Sequence, residues 1–157
     1  MTPQIVPYEV AETIRLKKSQ YCRFADTRQW EAWGNLFIPS IKATFHNPDG
    51  SLITEGNTAF SFESRDELIL YFRAAFETQQ AIHIVGPGEL QRLGEDEVSA
   101  VWPVVYHAAS RGVDGGWSGT GGGHYYEGWK RIGDDWFIAR FKFVREYWNV
   151  QGLGEGA

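Results

Sequence analysis

The sequence predicts an α+β domain in which one strongly curved antiparallel sheet partly wraps about three N-terminal helices. Three observations lead there. Apolar residues in the first half recur at helical spacing. The second half consists of long alternating runs separated by Gly/Asp turn clusters. No repeat, low-complexity tract or linker interrupts the 157 residues, so a single domain spanning 1–157 is expected.

From Tyr8 to Ala25, the residues Val10, Ile14, Tyr21 and Phe24/Ala25 recur at near-helical intervals, with Glu12, Arg15, Lys17 and Lys18 between them. Asp26 precedes Thr27-Arg28-Gln29 and fits the N-cap of a second helix, Thr27 to Phe37, because its carboxylate can accept from first-turn amides. Trp30, Trp33 and Phe37 share a face of that helix, and Pro39 is expected to stop it. Ile41 to His46 alternates as a strand does, Asn47-Pro48-Asp49-Gly50 is a turn, and Ser51 to Thr54 reads as a short return strand. Ser64-Arg65-Asp66-Glu67 has the form of a capping box. It opens an amphipathic helix with Leu68, Tyr71, Phe72, Ala75 and Phe76 inward. Long strands are expected over Ala81 to Leu93, Glu97 to Ala109, Gly119 to Ile132 and Trp136 to Trp148. The glycine-rich stretch Arg111 to Gly123, with Trp117 in its middle, reads as a hairpin tip or a lid, and 149–157 as a flexible tail. On the last strand Phe137, Ala139, Phe141 and Phe143 alternate with Trp136, Ile138, Arg140 and Lys142, which assigns the phenylalanines to the interior.

Composition narrows the function. A net charge of −5 leaves no basic footprint, so no nucleic-acid partner is expected. Cys22 is the single cysteine, which excludes an intrachain disulfide and a cysteine-based zinc site. Met1 to Val10 is polar with two prolines and unlike a signal peptide, and no apolar run is long enough to span a membrane; a cytoplasmic protein with no membrane partner is the expectation. Seven Trp, seven Tyr and ten Phe suit either a well-packed core or a ring-lined cavity for a flat hydrophobic small molecule.

His83 sits in the apolar run Ala81-Ile82-His83-Ile84-Val85, where a titratable ring either finds a polar partner or does chemistry. Asp26 serves as well for a cap as for an acid that orients this imidazole. Tyr21 and Tyr125 read either as core residues or as residues on the pocket side. The four histidines, His46, His83, His107 and His124, have spacings that fit no zinc motif, so no metal is expected. Glu55, Glu63 and Glu127 read as surface carboxylates.

Several segments carry a family resemblance. Ala25-Asp26-Thr27-Arg28-Gln29-Trp30 is similar to an Asp-Ser/Thr-x-x-Trp segment after helix one, and Ile82-His83-Ile84-Val85-Gly86 to a histidine strand. Glu95-Asp96-Glu97-Val98 and Trp129-Lys130-Arg131-Ile132-Gly133-Asp134-Asp135-Trp136 match the hairpins that follow. In this order they resemble the nuclear transport factor two-like superfamily, in its SnoaL-like and scytalone dehydratase-like branch. The resemblance implies a cone-shaped sheet enclosing an apolar pocket, a homodimer through the outer sheet face, and no cofactor. It also implies site roles. Tyr21 would polarise a substrate carbonyl, as in bile-acid dehydratase-like members. His83, oriented by Asp26, would move the proton. His107 would be a second pocket histidine if a bulge at Pro103 turned it inward. Phe45, Tyr125, Phe141, Phe143 and Trp117 would line the pocket, Phe45 replacing a tyrosine of scytalone dehydratase. The implied activity is a dehydratase (lyase) acting on a carbonyl-bearing cyclic polyketide, terpenoid or steroid. An isomerase or cyclase, or a non-catalytic binding module, is the alternative.

Overall fold

The structure, a computed structural model, describes residues 4–112 and 116–152. Helix α1 (Tyr8–Asp26) and the short α2 (Trp30–Gly34) lead into strand β1 (Phe37–His46). The small strands β2 (Thr54–Glu55), β3 (Thr58–Ala59) and β4 (Ser61–Phe62) precede α3 (Arg65–Ala75). Then come β5 (Gln79–Val85), β6 (Glu89–Gly94), β7 (Glu97–Ser110), β8 (Ser118–Ile132) and β9 (Asp135–Gln151). The main sheet runs β4-β1-β9-β8-β7-β5, with β6 also pairing β7; only β1 and β9 are parallel. It is an open, curved α+β sheet with the helices on its inner face, as expected. Ile14, Ile41, Ala43 and Ile138 lie at zero exposure where helix and sheet meet.

The start of α3 follows the predicted box in part. The Ser64 hydroxyl accepts from the Glu67 amide at 3.2 Å, but the Glu67 carboxylate accepts from the Glu63 amide at 2.8 Å, one residue earlier than a reciprocal box requires.

Four boundaries differ from expectation, each for a local reason. Asp26 does not cap α2. It is the last residue of α1, which ends in a Schellman turn: the Gln29 amide donates to the Phe24 carbonyl and the Arg28 amide to that of Ala25. Arg28 takes the left-handed position (φ 59°) that glycine normally marks. Pro39 does not end a helix. It lies inside β1, in the stretch between Phe37 and Lys42 where the pairing with β9 shifts, so its missing N–H is no loss. The expected strand Ala81 to Leu93 is two strands broken at Gly86-Pro87-Gly88, both paired to β7. The expected glycine loop is strand from Ser118 onward, where β8 begins, and β9 runs to Gln151, into the stretch read as a tail; residues 113–115 of that loop lie outside the described residues. Residues 153–157 lie outside the described residues.

The glycines of β8 have a packing cause. A Cβ at Gly121 would stand 2.6 Å from the Tyr106 ring and 2.8 Å from that of Trp148, and one at Gly119 would stand 2.5 Å from Trp148. Large rings therefore lie flat over a strand floor with no side chains. Gly121→Ala is expected to destabilise the fold by about 1–3 kcal/mol through overpacking. Urea denaturation checks this, and an unchanged midpoint would mean the rings move aside freely.

Candidate active site

Two shifts in the β8–β9 pairing decide which side chains face inward. Between Gly128 and Trp129 the register slips past Ala139, which inverts the alternation. Trp136 and Ile138 are therefore buried, while Phe137 turns outward beneath the Lys17 ammonium, 4.5 Å from its ring centre. The assignment of Phe137 and Ala139 to the interior is corrected accordingly; Phe141 and Phe143 do face inward. Arg145 continues the inner face of Phe141 and Phe143, and a second slip, past Glu146, brings Trp148 rather than Tyr147 inward.

These turns enclose a chamber of about 440 Å³ between the sheet, α3 and the β2–β3 hairpin. Phe45, Phe60, Phe72, Tyr125, Phe143 and Trp148 supply aromatic walls, and His83, Tyr106, Arg145 and Glu55 the polar groups. Trp117 lines it as well, beside the hairpin tip, where its carbonyl accepts from the Ser110 amide at 2.9 Å. Glu55, expected at the surface, sits at the rim and accepts from the Tyr71 hydroxyl at 3.0 Å.

Asp26 and His83 meet here. One carboxylate oxygen lies 2.6 Å from His83 Nδ1, and the other accepts from the His83 backbone amide at 3.1 Å. The side chains are 16% and 18% exposed, so the contact is largely shielded from water. An ionised carboxylate only accepts, so Nδ1 carries the proton, and the neutral ring keeps its lone pair on Nε2. Among the described residues no protein group engages Nε2. The carboxylate stands at the C-terminal end of α1, where the helix dipole opposes a negative charge; the two bonds from β5 compensate it.

Four expected site residues do not line the chamber; one is Asp26, which stands behind His83. Tyr21 is buried one layer deeper, against Trp33, Phe37, Tyr125 and Phe141, and reaches the chamber only through its hydrogen-bonded neighbour Tyr125. Phe141 lies in the same layer. His107 is on the opposite face of the sheet: β7 pairs β8 without a shift from Glu97 to Ala109, so no bulge at Pro103 turns it. It borders an outer hollow of about 520 Å³ with Gln80, Ile82 and Thr120, away from the dyad. His46 and His124 are also elsewhere, beside the Gly50 carbonyl and Glu146 respectively.

Sequence reasoning missed the group beneath the chamber. Lys18 and Glu127, read as solvated, form a fully buried ion pair at 2.5 Å. The second Glu127 oxygen accepts from the Trp102 and Trp129 indoles at 2.7 and 3.1 Å. Lys18 does sit at helical spacing between Ile14 and Tyr21, and Glu127 two residues from Tyr125; those spacings were the available signal. Arg145 was missed too: it lies two residues after Phe143 on the same strand face, so the Phe141–Phe143 alternation was the available signal for it. Its Nε donates to the Tyr106 hydroxyl at 3.3 Å.

A family model described as SnoaL-like domain matches residues 8–142. The curated protein named "Probable cyclase FGR4", from Gibberella zeae, is 46% identical over 142 residues, covering 90% of this chain and 95% of that protein. Among solved structures, a provisionally named scytalone dehydratase from Novosphingobium aromaticivorans superposes with a TM-score of 0.72 at 15% identity, covering 88% of this chain and 85% of its own. A type 2 hexachlorocyclohexane dehydrochlorinase, LinA, does so with a TM-score of 0.73 at 15% identity, covering 94% and 92%. At such identities the structural likeness is one of fold, and the fold is the cone expected from the sequence.

Burial raises the Cys22 thiol from 9.0 to about 11, and raises the Tyr21 and Tyr125 phenols well above 10.0. Each folded value exceeds its unfolded one, so these groups contribute stability that is whole below about pH 9 and lost as pH rises through their folded values. The urea midpoint is expected to fall between about pH 9 and 11; a flat midpoint would contradict the burial. Lys18→Met alone strands the Glu127 charge and is expected to cost about 3–5 kcal/mol, measured in the same assay at pH 7.

Proposed function

The chain belongs to the SnoaL-like domain family, and on that premise we propose that it is an acid–base enzyme that closes a ring in a hydrophobic, carbonyl-bearing small molecule. The observation that carries this reading is the double grip of Asp26 on His83, which leaves Nε2 beside an aromatic chamber. The relative named as a cyclase, at 46% identity, supports the outcome.

In the proposed mechanism, the substrate's rings lie between Phe45, Phe143 and Trp148, and its carbonyl meets the Tyr106 hydroxyl and the Arg145 guanidinium. Nε2 of His83 removes the proton α to that carbonyl. Asp26 stabilises the imidazolium that forms, and the two donors stabilise the enolate oxygen. The enolate carbon attacks a second carbonyl of the same molecule, a C–C bond forms, and the imidazolium returns its proton to the new alkoxide. Mass is conserved and His83 is regenerated. The aromatic walls of the chamber reduce the screening of these charges.

Loss of water is the second reading, favoured by the same single imidazole. The enolate expels a β-hydroxyl, and the imidazolium protonates it as it leaves. With His107 on the outer face, both transfers fall to His83. Isomerisation would follow if the proton returned to a different carbon. The homodimer is also part of this proposal: Ile82, Ile84 and Val105 are 54%, 56% and 45% exposed on the outer sheet face, an apolar strip that a second copy would cover. No helix among the described residues is long and apolar enough to cross a membrane.

The proton-transfer step is testable without the natural substrate. The wild type, with no added metal or nucleotide, is expected to accelerate exchange of the α-protons of 2-tetralone in D₂O. His83→Ala and Asp26→Asn are expected to lose about 100- to 10,000-fold of that rate while remaining folded at the assay temperature. Equal exchange by wild type and His83→Ala removes His83 from the chemistry. With a turned-over metabolite, product mass separates ring closure (unchanged) from dehydration (one water lost). Sedimentation is expected to show a dimer that Ile84→Glu dissociates; a monomeric wild type would contradict the interface.

A further inference from the structure

The proposed chemistry leaves the buried ion pair without a task. As a stabilising device it is a poor choice, since an apolar pair of similar volume often serves as well or better. Its placement suggests another use. The Lys18 ammonium is clamped between two phenols, 3.8 Å from the ring centre of Tyr21 and 3.7 Å from that of Tyr125. Glu127 takes the ammonium with one oxygen and turns the other to the Trp102 and Trp129 indoles, so the positive end of the pair abuts the tyrosines. Tyr125 alone of this group also lines the chamber.

We propose that Lys18 is a positioning residue that makes Tyr125 a strengthened hydrogen-bond donor toward an oxyanion in the chamber, with Glu127 holding the ammonium in place. A cation on a ring face is attracted to its π electrons and withdraws density from the phenol oxygen, which strengthens the O–H as a donor. At zero exposure the effect is unscreened. Besides Lys18, Cys22 and Glu127 act on both phenols, Asp26 acts on Tyr21, and the two phenols act on each other through a shared hydrogen bond. Burial keeps both phenols protonated, as a donor must be. The inference rests on the acid–base reading only in that both place a developing oxyanion in the same chamber.

The test uses 2-naphthol, a flat apolar hydroxyl whose neutral and ionised forms differ in absorbance and fluorescence. Bound to the wild type, it is expected to be more acidic than in solution by about tenfold or more. The double variant Lys18→Met/Glu127→Gln removes the charge without stranding a partner. It is expected to lose most of that gain in acidity while binding neutral 2-naphthol within about threefold of the wild type, because removing a donor to the ionised form leaves apolar contacts intact. A merely structural ion pair would instead leave the acidity shift unchanged, and that result overturns the proposal. Tyr125→Phe keeps the ion pair and serves if the double variant does not fold: a shift equal to wild type overturns the proposal too, as does a wild type that fails to acidify the probe. His83→Ala separates the two readings. It is expected to keep the naphthol shift while losing ketone exchange, so unaltered exchange in that variant counts against the dyad and leaves Lys18 untouched.

Discussion

Asp26 ties the last residue of helix α1 to the middle of strand β5, and the site is organised around that tie. One carboxylate engages the amide and the ring of the same histidine, which fixes backbone position, ring orientation and tautomer together. The cost is a negative charge at the negative end of a helix, in a place largely closed to water. Such a carboxylate is poorly explained by stability alone. It is well explained by an imidazole that must gain a positive charge and lose it again during a reaction.

Around this tie the interior is layered. Nearest the open side are the chamber rings, with the polar groups of His83, Tyr106, Tyr125, Arg145 and Glu55 among them. Below them Tyr21, Trp33, Phe37 and Phe141 form a dry aromatic stack with edge-on and tilted contacts. Within that stack the Lys18–Glu127 pair is the one fully buried ion pair among the described residues. The glycines of β8 make the arrangement possible, because side chains at 119 and 121 would occupy the space of Trp148 and Tyr106.

Much of this was legible in the residues. Helix α1, the Asn47–Gly50 turn, the Ser64 cap and the long strands follow from spacing and turn chemistry, and the Asp26–His83 pairing from a family resemblance the structure supports geometrically. What was not legible has three physical origins, the first of them strand register. Strand alternation assigns faces only while the register holds; the slip at Ala139 moved Phe137 out, and the slip at Glu146 moved Trp148 in. The reverse error befell His107, for which a bulge was expected and none exists. Arg28 hid the turn between α1 and α2 because it occupies a backbone position that glycine usually announces. Lys18 and Glu127 looked solvated because a buried charge is recognisable only when its partner, here 109 residues away, is known to be adjacent.

The central claim is that Asp26 holds His83 with its proton on Nδ1 and its lone pair on Nε2. Nitrogen-15 NMR of the histidine rings, at a pH where they are neutral, measures this directly. The account requires His83 to show a protonated Nδ1 and a bare Nε2, with that preference lost in Asp26→Asn. A His83 ring protonated on Nε2 in the wild type, or a tautomer indifferent to Asp26, would contradict it.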